Sequence, residues 1–361
     1  MSGAHSFVMA GGGTGGHVMP SIAVARILRD RGHDVLFVGT ERGMEAKLVP
    51  AAGFPIEWIE IGGLKGLPRT KQLRSLWQLP NAARRVREMF QRSRPSAVFS
   101  MGGYVAGPVA AAAIWSRVPL VVMEPNAMPG ASNRYIARFV TKALLSFPEA
   151  ARWFPRDRTE ITGMPVRAEF FSIAPKTRTN KLTILITGGS QGSRTLNRAA
   201  VESWKLFREA GADVRILHQT GGSAYEQISR DFAAAGVDGE VTAFIVDMPA
   251  AFAEADMIVC RSGAGAVAEV AAAGKASILV PYPFSADNHQ LRNAEALSRS
   301  GAARLVRDSE MDGRRLVREV LALADGKGIE MAGARARDFA WPGAADRAAR
   351  ILQDLAEKRR F

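Results

Sequence analysis

The chain has 361 residues, 47% apolar and 23% charged, which suits a soluble globular protein of two ordinary domains and excludes a fibrous or low-complexity one. Its 48 Lys and Arg against 35 Asp and Glu leave +13 at pH 7, favouring a polyanionic partner: nucleic acid, an anionic membrane face or a phosphorylated substrate. One cysteine, Cys260, excludes an internal disulfide; in the run Met257-Ile258-Val259 it reads as a small buried residue of a reducing compartment. Glycine-rich sequence begins by residue 11, so no signal peptide is expected.

Apolar runs of about five residues alternate with helix-length segments along the chain. Strands are expected near 6–10, 34–38, 56–61, 97–101, 119–123 and 141–145, with helices near 18–31, 42–52, 71–93, 107–116 and 130–138. Residues 105–123 could pass for a membrane span, but Pro108, Arg117 and Pro119 divide them into a short buried helix, a turn and a buried strand. The stretch GMPVRAEFFSIAPKTRTNK (163–181) interrupts the pattern with prolines and basic residues and reads as a linker. Alternation resumes with KLTILIT (181–187), then VRILHQ, VTAFI, DMIVC, ASILVP and AARLV. The expected fold is α/β: two Rossmann-like parallel-sheet domains, 1–163 and 164–342, facing a cleft. A last helix at 343–361 is placed to return to the N-terminal domain.

Both halves open with strand, glycine loop and helix. In the first, AGGGTGGHVMP (10–20) has glycine at five of the six positions from 11 to 16, more than a tight turn needs. Naked backbone N–H groups at a helix start suit an anion. Gly11, Gly13 and Gly16 satisfy G-x-G-x-x-G, but the second strand ends Val38-Gly39-Thr40 without the acidic residue that a dehydrogenase uses on the ribose. His17 fits either a helix-start histidine bonded to backbone or a general base acting on a sugar hydroxyl. A second loop, SMGGYVAGP (100–108), could join the first in gripping a diphosphate. In EPNAMPG (124–130), Glu124 and Asn126 could bind sugar hydroxyls or cap the helix at 130.

The second half offers TGGSQGSR with Ser190, and CRSGAGAVAE (260–269), where Glu269 could accept both ribose hydroxyls or merely favour the helix dipole. PYPFSADNHQLRNA (281–294) reads as a hydroxyl-binding cluster, and Arg167 as a phosphate contact or a solvated linker charge. No Asp-x-Asp pair and no His/Cys cluster at metal-ligand spacing occurs, so no cofactor or metal is expected. Residues 64–94 carry nine Lys or Arg and one acid, net +8, interleaved with Leu73, Leu76, Trp77 and Leu79. This basic stretch reads as a face for anionic headgroups or as a core-facing helix with a solvated back, and Trp115 as its extension or as core. A nucleic-acid binder is disfavoured, because the charge is concentrated here without a recognition motif.

Taken together, GGTGGH, MGGYVAGP, GMPVR, GGSQGS, CRSGA with Glu269, and DNHQLRNA resemble, in order and spacing, a family of bacterial transferases. Its members add N-acetylglucosamine to undecaprenyl-diphospho-N-acetylmuramoyl pentapeptide on the cytoplasmic face of the cell membrane. The resemblance implies a GT-B fold and an inverting, metal-independent transfer from UDP-N-acetylglucosamine. It also implies peripheral attachment to anionic inner-membrane lipids and contacts with cell-wall synthesis proteins. It assigns His17 as the candidate base, Gly13, Gly102, Gly103, Tyr104 and Glu124 to the acceptor, and Thr14, Gly15 and Gly16 to the acceptor diphosphate as well as to the donor. To the donor it assigns Thr14, Gly15, Gly16, Asn126, Arg167, Ser190, Ile245, Ser262, Gly263, Ala264, Gly265, Ala266, Val267, Glu269, His289 and Gln290. Met123 and Pro125 stand where the family has His and Gln, and Ala266 where it tends to have Ser or Thr. A UDP-N-acetylglucosamine 2-epimerase would keep the donor half without the second acceptor loop or the basic apolar face.

Overall fold

The computed structural model describes residues 4–13, 15–61, 69–177, 179 and 181–359, with backbone alone for 69–77. The chain divides into two units, Met1–Val166 with Gly343–Phe361, and Arg167–Pro342.

Unit 1 runs β1 (Ser6–Gly11), α1 (Gly15–Asp30), β2 (Asp34–Gly39), α2 (Glu45–Ala51), β3 (Ile56–Trp58), α3 (Arg69–Ser93), β4 (Ala97–Gly102), α4 (Ala106–Trp115), β5 (Leu120–Glu124), α5 (Ala131–Ile136), β6 (Lys142–Leu145) and β7 (Thr159–Ile161). Its strands form one parallel sheet in the order β3-β2-β1-β4-β5-β6-β7. Phe7, Val8, Met9 and Ala10 have no exposed surface, as expected of a central strand covered on both faces. Strand order reverses between β1 and β4, and such a reversal opens a crevice at the strands' carboxyl ends. Both glycine loops of the first half leave from those two ends.

Unit 2 repeats the plan with α6 (Ala168–Phe171), β8 (Leu182–Thr187), α7 (Arg194–Glu209), β9 (Val214–Gln219), α8 (Tyr225–Ala235), β10 (Gly239–Thr242), α9 (Met248–Glu254), β11 (Met257–Cys260), α10 (Ala264–Ala273), β12 (Ala276–Leu279), α11 (His289–Arg299), β13 (Ala303–Leu305), α12 (Gly313–Ala324) and α13 (Gly328–Arg337). Its sheet, also parallel, is ordered β10-β9-β8-β11-β12-β13, with the reversal at β8/β11. The final helix, α14 (Ala344–Lys358), packs on α1 of unit 1. Arg31 bridges Asp346, and Arg347 makes a two-pronged bond to Glu160 at 2.6 and 3.1 Å.

Three differences from the sequence reading have physical causes. The edge strand β7 reads Thr-Glu-Ile, all half-buried, and is too short and polar to show a period. The strand expected at 241–245 lies at 239–242, because Gly239 presses on β9 where a Cβ would stand 2.0 Å from Ile216 O. Beyond it the chain folds over, with Gly221 N–H donating to Ala243 O and Ile245 N–H to the Gln219 side chain. Much of the expected linker belongs to unit 2. Phe170 is fully buried against Phe252, with ring centroids 5.1 Å apart, and Lys176 Nζ holds Asp256 at 2.9 Å. Cys260 is buried, and burial pushes its thiol up to about 12.

His218 on β9 is 1% exposed, and Asn197, which gives its amide N–H to Thr220 O, accepts from His218 Nε2–H at 3.0 Å. Burial lowers this imidazole to about 4. The folded chain therefore keeps it neutral while the unfolded chain takes up a proton below about 6.5. Its stabilisation is complete above that pH and is lost as pH falls towards 4, by roughly 3 kcal/mol. Denaturant titrations at pH 7 and 4.5 should show this loss, and His218→Gln should shrink it.

Candidate active site

The carboxyl ends of β1 and β4 bring two glycine turns together. Gly13, Gly102 and Gly103 have φ of +98°, +89° and +80°, backbone that side chains resist. Gly103 lies against the first turn so closely that a Cβ would stand 2.7 Å from Gly12 O and 3.6 Å from His17 Nδ1. Gly15, Gly16 and His17 form the opening turn of α1, half-buried, exposed and half-buried respectively, and nothing lies within 4 Å of a Cβ built on Gly15. Helix-start amides and one imidazole thus face the second turn, an arrangement able to hold an anion beside a proton acceptor. Thr14 lies outside the described residues.

Gly13 does not keep its N–H for a ligand: it donates to Glu45 Oε2 at 2.9 Å. Glu124 is committed more fully. It is 1% exposed, and its oxygens accept from Asn126 N–H at 2.9 Å, Asn126 Nδ2 at 3.2 Å, Gly130 N–H at 3.2 Å and Asn133 Nδ2 at 2.9 Å. Burial raises its carboxyl to about 7 against those bonds. It shapes the 124–130 loop from beneath rather than touching an acceptor. Asn126 is half-buried on that loop, while Met123 and Pro125 are buried, so the two departures are taken up by packing.

In unit 2 the carboxyl ends of β8 and β11 carry the loop 188–193 and the start of α10. Ser190 is exposed. Gly263 caps α10 with no side-chain bond, and Cβ atoms built on Gly263 or Gly265 would meet nothing within 4 Å, so this helix start is open. Ala264 and Ala266 are half-buried on the same turn. Two assigned neighbours are not available: Val267 is 3% exposed with its N–H bonded to Gly263 O, and Ser262 is fully buried with its hydroxyl given to Gln290 O at 2.8 Å. Arg167 lies 3.8 Å from Glu269 and stacks over Phe170 at 5.0 Å. Burial raises the Glu269 carboxyl to about 7, with Arg167 pulling the other way.

His289 and Gln290 open α11 after two left-handed residues, Asp287 and Asn288, both at φ +53°. His289 Nδ1 bonds Ala286 O at 2.7 Å, and Gln290 Oε1 accepts from Tyr282 N–H at 2.9 Å. Strain of this kind persists where surrounding structure over-determines it, commonly at ligand loops.

With that geometry in place, residues 7–145 match the glycosyltransferase family 28 N-terminal domain and residues 183–347 its C-terminal domain. A protein of Solibacter usitatus (strain Ellin6076) is 60% identical over 98% of this chain and 97% of its own length. It is named UDP-N-acetylglucosamine–N-acetylmuramyl-(pentapeptide) pyrophosphoryl-undecaprenol N-acetylglucosamine transferase. The chain belongs to this transferase family. The crystal structure of Acinetobacter baumannii MurG matches the transferase fold described here with TM-score 0.80 and 32% identity, over 98% of this chain and 100% of that one. A UDP-GlcNAc 2-epimerase from Neisseria meningitidis shares the fold at TM-score 0.65 but only 12% identity, over 97% and 99% of the two chains.

The candidate site also contains residues that the sequence does not advertise. Gln219, 1% exposed, donates to Thr187 Oγ1 at 3.0 Å and Gly189 O at 2.9 Å, and accepts from Ile245 N–H at 2.8 Å. The Ile245 N–H is therefore committed to Gln219. Arg261 ties Ser193 Oγ, at 2.7 Å, to Val280 O, at 3.1 Å, and to Asp308. A glutamine ending one strand and an arginine just past another carry no periodic signal. Only the neighbouring loops reveal their use. Among the described residues no group of three or more His, Cys, Asp or Glu is placed to hold a metal ion.

Proposed function

We propose that this transferase moves N-acetylglucosamine from UDP-GlcNAc to the C4 hydroxyl of undecaprenyl-diphospho-N-acetylmuramoyl pentapeptide, with inversion, to give a β(1→4) disaccharide. Family membership carries this reading, and the two facing glycine turns of unit 1 fit it. An epimerase has no use for a second diphosphate cradle. The acceptor diphosphate rests on the amides of Gly15, Gly16 and Gly103 beside Tyr104, whereas Gly102 is buried with its N–H donated to Ser100 Oγ at 3.4 Å, and His17 accepts the proton of the attacking hydroxyl. In unit 2 the UDP diphosphate takes the open start of α10, with Arg167, Ser190, His289 and Gln290 around the nucleotide sugar. Charge growing on departing UDP meets fixed N–H dipoles there. The transition state has oxocarbenium character. The test is UDP release: stimulation by the lipid-linked muramoyl acceptor, with a disaccharide-lipid product recovered, supports transfer. Release without acceptor would overturn it in favour of epimerase chemistry.

Glu269 accepts the ribose hydroxyls, a task for its ionised form. With its carboxyl near 7, the ionised fraction rises across neutrality, so KM for UDP-GlcNAc is expected to fall roughly tenfold from pH 6 to 8. Initial rates with Glu269→Gln should give a flat KM over that range. A wild-type KM that rises instead would exclude this role.

No helix of the described residues is long and apolar enough to cross a membrane. Attachment is peripheral in this proposal, on the cytoplasmic face, through anionic lipids. On unit 1, Trp115 is 61% exposed beneath the Arg87 guanidinium at 4.2 Å, beside exposed Ile114. This arginine-covered aromatic surface supports the lipid contact. Leu79 is half-buried near α4, and the side chains of Leu73, Leu76 and Trp77 lie outside the described residues. Flotation with anionic vesicles should weaken as salt rises and weaken further in Arg87→Ala. Salt-independent flotation removes the electrostatic part.

A further inference from the structure

Glu45, the first residue of α2, has no exposed surface although it ends below the glycine turns. One carboxylate oxygen accepts from Thr40 N–H at 3.1 Å, Thr40 Oγ1 at 3.0 Å and Tyr104 Oη at 3.3 Å. The other accepts from Gly13 N–H at 2.9 Å. The same side chain thus holds the first glycine turn by Gly13 and the second by Tyr104. The Tyr104 ring completes the junction, since a Cβ on Gly13 would stand 2.9 Å from its Cε1. Three further glycines make room for this carboxyl: a Cβ would stand 2.8 Å from its Oε1 at Gly12, 2.6 Å from its Cγ at Gly39 and 2.0 Å from its Oε2 at Gly43.

A buried carboxylate beneath an anion cradle repels the anion the cradle serves, so simple filling would favour an apolar residue. What the carboxylate adds is direction. It turns the Gly13 N–H inward and fixes φ there at +98°, which aims the following turn, the start of α1, at the second loop. We propose that Glu45 is a positioning residue that sets the spacing of the two glycine turns for the acceptor's diphosphate. The proposal rests on the reading of those turns as the acceptor site. Glu45 touches no reacting atom and acts through Gly13 and Tyr104.

The discriminating variant is Glu45→Gln. Its carbonyl oxygen can still accept from Thr40 and Tyr104, but its NH2 then faces the Gly13 N–H, donor against donor. Steady-state kinetics with the lipid-linked acceptor should show acceptor kcat/KM reduced about ten- to hundredfold, the scale of one buried charge-assisted hydrogen bond. KM for UDP-GlcNAc should change less than about twofold, because unit 2 is untouched. Amide exchange at Gly13 should accelerate in the same variant. Equal losses for both substrates would mark Glu45 as merely structural and overturn the proposal. Unchanged acceptor kinetics in Glu45→Gln, with Gly103→Ala raising acceptor KM, would overturn it while leaving the acceptor reading intact. If Gly103→Ala is also without effect, the acceptor reading itself falls. Should Glu45→Gln not fold, Gly43→Ala displaces the Glu45 carboxyl without touching either turn, since a Cβ there would stand 2.0 Å from its Oε2. An intermediate fall in acceptor kcat/KM then supports the proposal, and no change overturns it.

Discussion

His17→Ala is expected to lower kcat about a hundred- to ten-thousandfold, the range for loss of a positioned general base. The imidazole is the third residue of α1 and lies beside Gly103, so it borders the cradle assigned to the acceptor. Its removal leaves the glycine turns themselves in place. Acceptor KM should therefore move much less than kcat, and UDP affinity, a property of unit 2, should hold. Single-turnover rates of disaccharide-lipid formation, alongside titration with UDP, separate the two effects. A kcat within threefold of the parent would place the base elsewhere. A kcat that falls together with UDP affinity would mean that the variant has damaged the fold.

The second large effect belongs to Gly192→Ala. Gly192 has φ +73°, and a Cβ there would stand 1.9 Å from Thr220 O. That oxygen cannot retreat freely, because it accepts from Asn197 Nδ2 at 2.9 Å. Left-handed strain and a backbone clash together cost about 2–5 kcal/mol, and the loop carrying Ser190 must shift to relieve them. Unit 2 should lose stability by that amount and bind UDP more weakly. Gly189, at φ +82° with nothing near its Cβ, is the control: Gly189→Ala should cost only about 1–2 kcal/mol. Equal costs for the two variants in denaturant titrations would show that close backbone approach is not what Gly192 provides.

Strand–helix alternation was readable because both faces of each sheet are covered. Buried strands such as Ser6–Gly11 and Leu182–Thr187 are then continuous apolar runs. The loops were readable for a related reason: clustered glycines mark places where backbone meets backbone or ligand. Polar residues beside those loops were read less well. Glu124 and Ser262 read in sequence as ligand contacts, yet both are buried: Glu124 holds the 124–130 loop and Asn133, and Ser262 gives its hydroxyl to Gln290 O. Glu45, Gln219 and Arg261 carry no signal in sequence, because each joins segments that are distant along the chain.

Residue order by itself determined where amides lie bare and which strands are sealed from water, since both follow from side-chain size and local periodicity. Folding decided which polar groups still face outward. A carboxylate or amide reads the same in sequence whether it grips a sugar or its own backbone. The choice is made by strands that converge only in the sheet, each bringing donors and acceptors that must be satisfied once water is excluded.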